Sequence, residues 1–169
     1  IAGTSKMGWG KDGVWSSESL NANLNVGVSH GSLENFEVFD DVADYLKEHR
    51  LIAPLVDPND LRERLKNIQL DNLESPIYIS SSSTTIPNIN IHSSAMDVSI
   101  EGVHSFSGKI DYTLGFSLRD LRKSREVEFG NIEDDGLGNM FFLAMDGTLN
   151  EPVYSYDRSA HRSHRKKAF

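Results

Sequence analysis

The chain contains no cysteine among its 169 residues. That removes disulfides, a thiol nucleophile and cysteine-ligated zinc from consideration. No apolar run approaches the roughly 18–20 residues that span a bilayer as a helix, and no signal-peptide pattern opens the chain. The phosphate-cradling pattern GxxxxGKS/T is missing. Positive charge is short too: 17 basic residues against 25 acidic ones leave a net charge of -8. That sign argues against a nucleic-acid partner, because such domains bind by displacing counterions from phosphate.

What is present is ordinary globular composition, 38% hydrophobic and 25% charged, in a length that suits one domain. The charge is uneven. Arg158, Arg162, Arg165, Lys166 and Lys167 fall in a final stretch without acidic residues, which leaves twelve basic residues against all 25 acidic ones in the body. This tail reads as a solvated helix or a frayed end, with an anionic surface as its possible contact. The chain opens on Ile1, not Met. The expectation is a processed or excised piece of a longer protein, with its targeting segment removed. Residues 1–13 read as a flexible stretch, 14–157 as a single β-rich domain and 158–169 as the basic tail.

Hydrophobic periodicity points to strands. Leu20, Ala22, Leu24, Val26 and Val28 alternate with Asn21, Asn23, Asn25 and Gly27, the period of a half-buried antiparallel strand. The period then changes. Val42, Tyr45, Leu46 and His49 share one side of a helix that Asp40 or Asp41 can cap. Asp57-Pro58 opens a second helix with Leu61, Leu65 and Ile68 on its buried side. Strands resume around a turn at Glu74-Ser75-Pro76 and a hairpin in the tract 80–83. Ile89 and Ile91 are followed by Met96, Val98 and Ile100 with flipped parity, which predicts a break near Ser93-Ser94. Ile110, Tyr112, Leu114, Phe116 and Leu118 alternate cleanly, and Phe141, Leu143 and Met145 mark one face of the last long strand. Residues 119–126 read as a charged turn or loop, Val127 and Phe129 as a short strand, and residues 153–156 as an edge strand. The expected fold is mainly β (α+β): a curved, largely antiparallel sheet of about eight strands, with two short helices inserted near residues 40–68.

Catalytic and metal chemistry find no foothold. His92 and His104 stand apart on strands, outside any ligand spacing. His161 and His164 lie three apart among cations that repel a metal ion. Glu133-Asp134-Asp135-Gly136 reads as an acidic turn without the alternate oxygen ligands of a calcium loop. The expectation is a non-enzymatic chain with no cofactor and no metal. Apolar surface remains. One aliphatic sheet face must be buried against another sheet, helices, a partner or a ligand. A closed sandwich core and an open groove holding acyl chains both satisfy that requirement.

Residues 89–157 carry a resemblance. The segment 91–106, from Ile91 through Ser93-Ser94-Ala95-Met96-Asp97 to Gly102, His104 and Phe106, resembles the C-terminal region of AsmA-like cell-envelope proteins of the Bacteroidetes type. Residues 109–112, Phe129-Gly130, the run from Glu133 to Gly136 with Gly138, and Gly147-Thr148 with Pro152, Tyr156 and Asp157 follow the same pattern in order. Gly31, Leu33 and Phe36 resemble its earlier G-x-L-x-x-F step. The resemblance covers about residues 14–157 and brings no catalytic residues. It implies a periplasmic domain of a protein anchored in the inner membrane, involved in outer-membrane assembly or integrity through phospholipid transport along a hydrophobic β-groove. On that view Leu20, Leu24, Tyr112, Leu114, Phe116, Phe141, Leu143 and Met145 are candidate inner-face residues, and a phospholipid or other acyl-chain lipid is the partner. A secreted or surface β-sandwich binding module, for example for glycans, and a purely structural interaction domain are the alternatives; a glycan module would display more Trp than Trp9 and Trp15.

Overall fold

A computed structural model describes residues 1–34, 37–50, 52–54, 56–117 and 140–167. The alternation seen at Asn21–Val28 recurs along the chain and produces the expected mainly β fold, built on an open eight-stranded antiparallel sheet. The strands are β1 (Ala2–Lys6), β2 (Asn21–Val28), β5 (Leu73–Ser80), β6 (Ser83–Ile91), β7 (Val98–Ser105), β8 (Lys109–Ser117), β9 (Met140–Thr148) and β10 (Pro152–Tyr156), side by side in that order. A separate two-stranded ribbon, β3 (Gly31–Glu34) with β4 (Asn67–Leu70), flanks two helices, α1 (Glu37–Glu48) and α2 (Pro58–Leu65). Helix α3 (Arg158–Lys167) ends the described chain. The readings of residues 118–139, including Leu118, Phe129 and the acidic turn, lie outside the described residues.

Pairing register carries one apolar face across the sheet. Leu24 stands opposite Ile77 and Ala22 opposite Ile79. Farther on, Ile100 pairs with Leu114 and Leu114 with Leu143, while Tyr112 pairs with Met145 and Met145 with Tyr154. Side chains directly opposite each other point to the same side of a sheet, so the alternation of each strand adds to that of its neighbour.

Half of this face is capped. α2 starts as expected, with Asp57 Oδ1 accepting from Asn59 N at 3.0 Å and Pro at the first turn. α1 begins at Glu37, so Asp40 and Asp41 lie inside it and do not cap it. Val42, Ala43 and Leu46 of α1 and Leu61 and Leu65 of α2 are buried with Ile52, Val56 and Ile68 against Phe116, Phe141 and Leu143 of the sheet. Ile68 belongs to β4 and not to the second helix. The ribbon is tied to the β6–β7 connection: Ser94 N donates to Gln69 O at 2.9 Å and Gln69 N donates to Ser94 Oγ at 3.0 Å.

Other local expectations need correction. Residues 74–76 do not turn; they run inside β5, where Pro76 faces Asn25 of β2. β5 pairs with β6 only over residues 78–80, so the missing N–H of Pro76 disrupts no ladder on that side. Met96 is not in a strand: Ala95 and Met96 sit buried in the β6–β7 connection, held by Ser93, whose Oγ donates to Met96 O at 2.6 Å. The parity break falls there as expected, and a further register shift lies between Ile86 and Ile89. Residues 2–6, expected to be flexible, form β1 on the edge beside β2. The basic tail is helical. Its Asp157 Oδ1 accepts from Ser159 N and Ala160 N, both at 2.9 Å, and His164 lies 5.4 Å from the Phe142 ring on the back face of the sheet.

Candidate functional site: an apolar cavity beneath the cap

The helical cap does not close completely on the sheet. Between them lies a cavity of about 380 Å³. Its floor is formed by Ile91, Val98, Ile100, Tyr112, Leu114 and Phe116, with Ile86 and Met145 farther along the strands. Its roof is formed by Val42 and Leu46 of α1, Leu65 of α2, and Leu33, Ile68 and Leu70 of the ribbon, with Met96 closing one side. Among the described residues that line it, Ser93 is the one polar side chain apart from the Tyr112 phenol. The volume falls at the low end of small-molecule sites, about 300–1,000 Å³.

The cavity has a direction. Beneath the cap it begins at the ends of β6, β7 and β8 marked by Ile91, Val98 and Phe116, then follows the strands past Tyr112 and Met145 to Leu149 in the β9–β10 turn. Past the cap's edge, Ile110, Tyr112 and Met145 form a second cluster with Ile86, Ile100 and Tyr154. Burial pushes the Tyr112 phenol above its ordinary value. The site therefore offers elongated apolar surface, without a charged group in its wall among the described residues.

An aromatic and histidine cluster locks the closed side of the cap. His49, just past α1, sits 5.0 Å edge-on to Phe141 and 5.5 Å from Tyr156, and Phe141 stacks on Tyr156 at 5.2 Å. Burial holds His49 below its ordinary value. Tyr45 is raised by burial, an effect partly offset by its hydrogen bond to the Tyr156 backbone, which joins α1 to β10. Tyr154 is pushed up to about 12 by burial and by the negative charge of Asp41. Both shifts leave the phenols neutral and compatible with a packed interface.

Of the eight inner-face candidates, Tyr112, Leu114, Phe116 and Met145 line the cavity. Phe141 and Leu143 share their face but are covered by the cap and belong to the ordinary core. Leu24 shares the face as well, on the uncovered side of the sheet away from the cavity, and Leu20 lies half-buried just before β2. The candidates omitted the roof altogether. The helical stripe of Val42 and Leu46 was a visible signal for it, whereas the four-residue β3 and β4 carried none. The basic candidates are separate from the cavity: Arg158 and Arg162 are exposed on α3, and Arg165, Lys166 and Lys167 occupy its last turns.

Among the described residues no group of three His, Asp or Glu side chains is placed to hold a metal ion, and no helix is long and apolar enough to cross a membrane. In comparisons with protein-family models, curated proteins and solved structures, nothing matches this chain.

Proposed function

We propose that this chain is a non-enzymatic domain of an AsmA-like cell-envelope protein of the periplasm, and that its cavity holds the acyl chain of a phospholipid or related lipid during transport that maintains the outer membrane. The observation that carries the reading is the unbroken apolar wall between an open sheet and an incomplete cap, extending along the strands to Leu149. An acyl chain suits such a wall because it needs no hydrogen bonds and gains about 0.8 kcal/mol for each methylene removed from water. The volume fits part of one chain and leaves the headgroup outside. Order of motifs supports the family assignment: segment 91–106 supplies the β6–β7 connection and β7, which form one wall of the cavity.

The test is mass spectrometry of organic extracts from the purified chain, with displacement of a fluorescent fatty acid as the solution counterpart. Co-purifying phospholipid or saturable displacement supports the reading. An empty extract with no fatty-acid binding contradicts acyl-chain carriage and leaves a structural interaction domain. One observation favours that second role: every residue of β1 is exposed, and among the described residues no strand pairs with its outer edge.

A further inference from the structure

The two ends of the sheet differ in chemistry. At one end lie the β1–β2, β5–β6, β7–β8 and β9–β10 connections, because Lys6 pairs with Asn21, Ser80 with Ser83, His104 with Ile110, and Lys109 with Thr148. Three of these four connections present large apolar side chains to solvent: Met7, Trp9, Val14 and Trp15 in the first, Phe106 in the third and Leu149 in the fourth. All six are between 43% and 69% exposed. Among the described residues, the opposite end exposes mainly polar side chains, His30, Asp71, Asn72, His92 and Asp97, with Ile1 and Val28 as its exposed apolar ones.

The apolar end is ordered. Trp9 and Trp15 bridge each other as a small antiparallel pair, and Ser19 Oγ donates to Gly8 O at 2.9 Å while accepting from Gly8 N at 2.8 Å. Phe106 N donates to Ser82 O at 2.8 Å, which couples two neighbouring hairpins. Strands about 4.8 Å apart spread the tips over about 30 Å from the tryptophan pair to Leu149. Lys6, Lys11 and Lys109 stand exposed among them, as do Asp12, Glu18 and Glu151. Tryptophan rings flanked by lysines are the chemistry of the membrane–water interface, where the ring takes the apolar side and the ammonium remains in water.

We infer that this end of the sheet docks into the interface of a phospholipid bilayer, with the tips of Trp9, Trp15, Phe106 and Leu149 immersed. Leu149 links the two features, because it is both an exposed tip and a wall of the cavity. Docking at this end brings the open end of the cavity to the lipid surface, so a chain could slide from bilayer to cavity without crossing water. The inference builds on the acyl-chain reading by specifying how lipid reaches the cavity. The rim's own membrane contact is measurable separately.

Trp9 and Trp15 are the chain's two tryptophans, so intrinsic fluorescence reports directly on this rim. The experiment uses the whole chain with vesicles of phosphatidylcholine and phosphatidylglycerol in equal parts, some carrying bromine on their acyl chains. The expected result is co-flotation, a blue shift of the emission and quenching by the brominated chains. Replacing Trp9, Phe106 and Leu149 together by Ser should weaken vesicle binding at least tenfold, with an unchanged circular dichroism spectrum because the tips are exposed. No flotation and no emission change overturns the inference, as does full binding by the triple variant. A shift with soluble β-glucan oligosaccharides but not with vesicles also overturns it and assigns the rim to sugars. Fatty-acid displacement without vesicles reads the cavity alone, so failure of docking and failure of acyl-chain binding are distinguishable.

Discussion

Leu46→Ala tests whether the cap is packed onto the sheet as described. Leu46 is fully buried, touches the core around Phe116 and Leu143, and also lines the cavity roof. The substitution removes three carbons, about 2.4 kcal/mol of transfer free energy at about 0.8 kcal/mol each. A residual void adds to that cost, because neighbours relax only partly. In comparable core sites the total is about 2.7–5 kcal/mol. The side chain already borders empty space, so little can collapse into the gap, and about 3–4 kcal/mol is expected. Leu24→Ala is the matched control. It lies on the same sheet face but on the uncovered side, half-buried, and at the same rate per carbon its expected cost is about 1–2 kcal/mol. Urea unfolding followed by circular dichroism measures both, with the midpoint shift converted at unchanged slope. Equal costs for the two variants, or a loss below about 1 kcal/mol for Leu46→Ala, would refute the packing of α1 against β8 and β9.

Three further predictions concern the supports of the site. Asp157→Ala removes the acceptor at the start of α3 and should cost about 1 kcal/mol, seen as faster hydrogen exchange over residues 159–164. Burial pushes the Asp157 carboxyl up, but hydrogen bonds from Ala160 N, Ser159, and the Thr113 hydroxyl outweigh it, and the net shift is below the ordinary 3.8. Its contribution is therefore present above about pH 4 and lost as pH falls further through the lowered value. His49 is held below its ordinary 6.5 by burial, so stability should decline as pH falls from about 6.5, and His49→Phe should flatten that dependence; an unchanged slope argues against the buried imidazole as the cause. Gly115→Ala drives a Cβ into Ser99 Oγ and to 2.9 Å from Phe142 Cε1, beneath the ring that α3 packs on, and should cost about 1–3 kcal/mol in urea unfolding. A neutral substitution there would mean that Ser99 and Phe142 are both free to shift.

The sheet was legible wherever one strand face is buried and the other wet. The alternation in β2, β8 and β9 marked the inner face, and Asp57-Pro58 marked α2, because both patterns are local. β1 was invisible for the opposite reason. Its residues Ala2–Lys6 are all exposed, so main-chain pairing to β2 holds it without a hydrophobic pattern. Pro76 misled because a proline inside a strand depends on what its neighbour does, here the short pairing between β5 and β6. The cavity was half legible. Alternation shows which way Leu24, Leu114 and Leu143 point, but the cap decides which one is buried, which lines a cavity and which faces solvent. That distinction depends on contacts between α1 and strands more than sixty residues away in sequence. The exposed tips Trp9, Trp15, Phe106 and Leu149 become a rim only once the hairpin order is known.

The account stands on the claim that an acyl chain occupies the cavity between cap and sheet. Photo-crosslinking tests it most directly: a fatty acid carrying a diazirine midway along its chain is bound, activated and mapped by peptide mass spectrometry. The predicted labels fall on cavity residues such as Ile100, Leu114 and Met145, and are competed away by unlabelled fatty acid. Labels confined to the back face around Phe142, or no competable labelling, would contradict it.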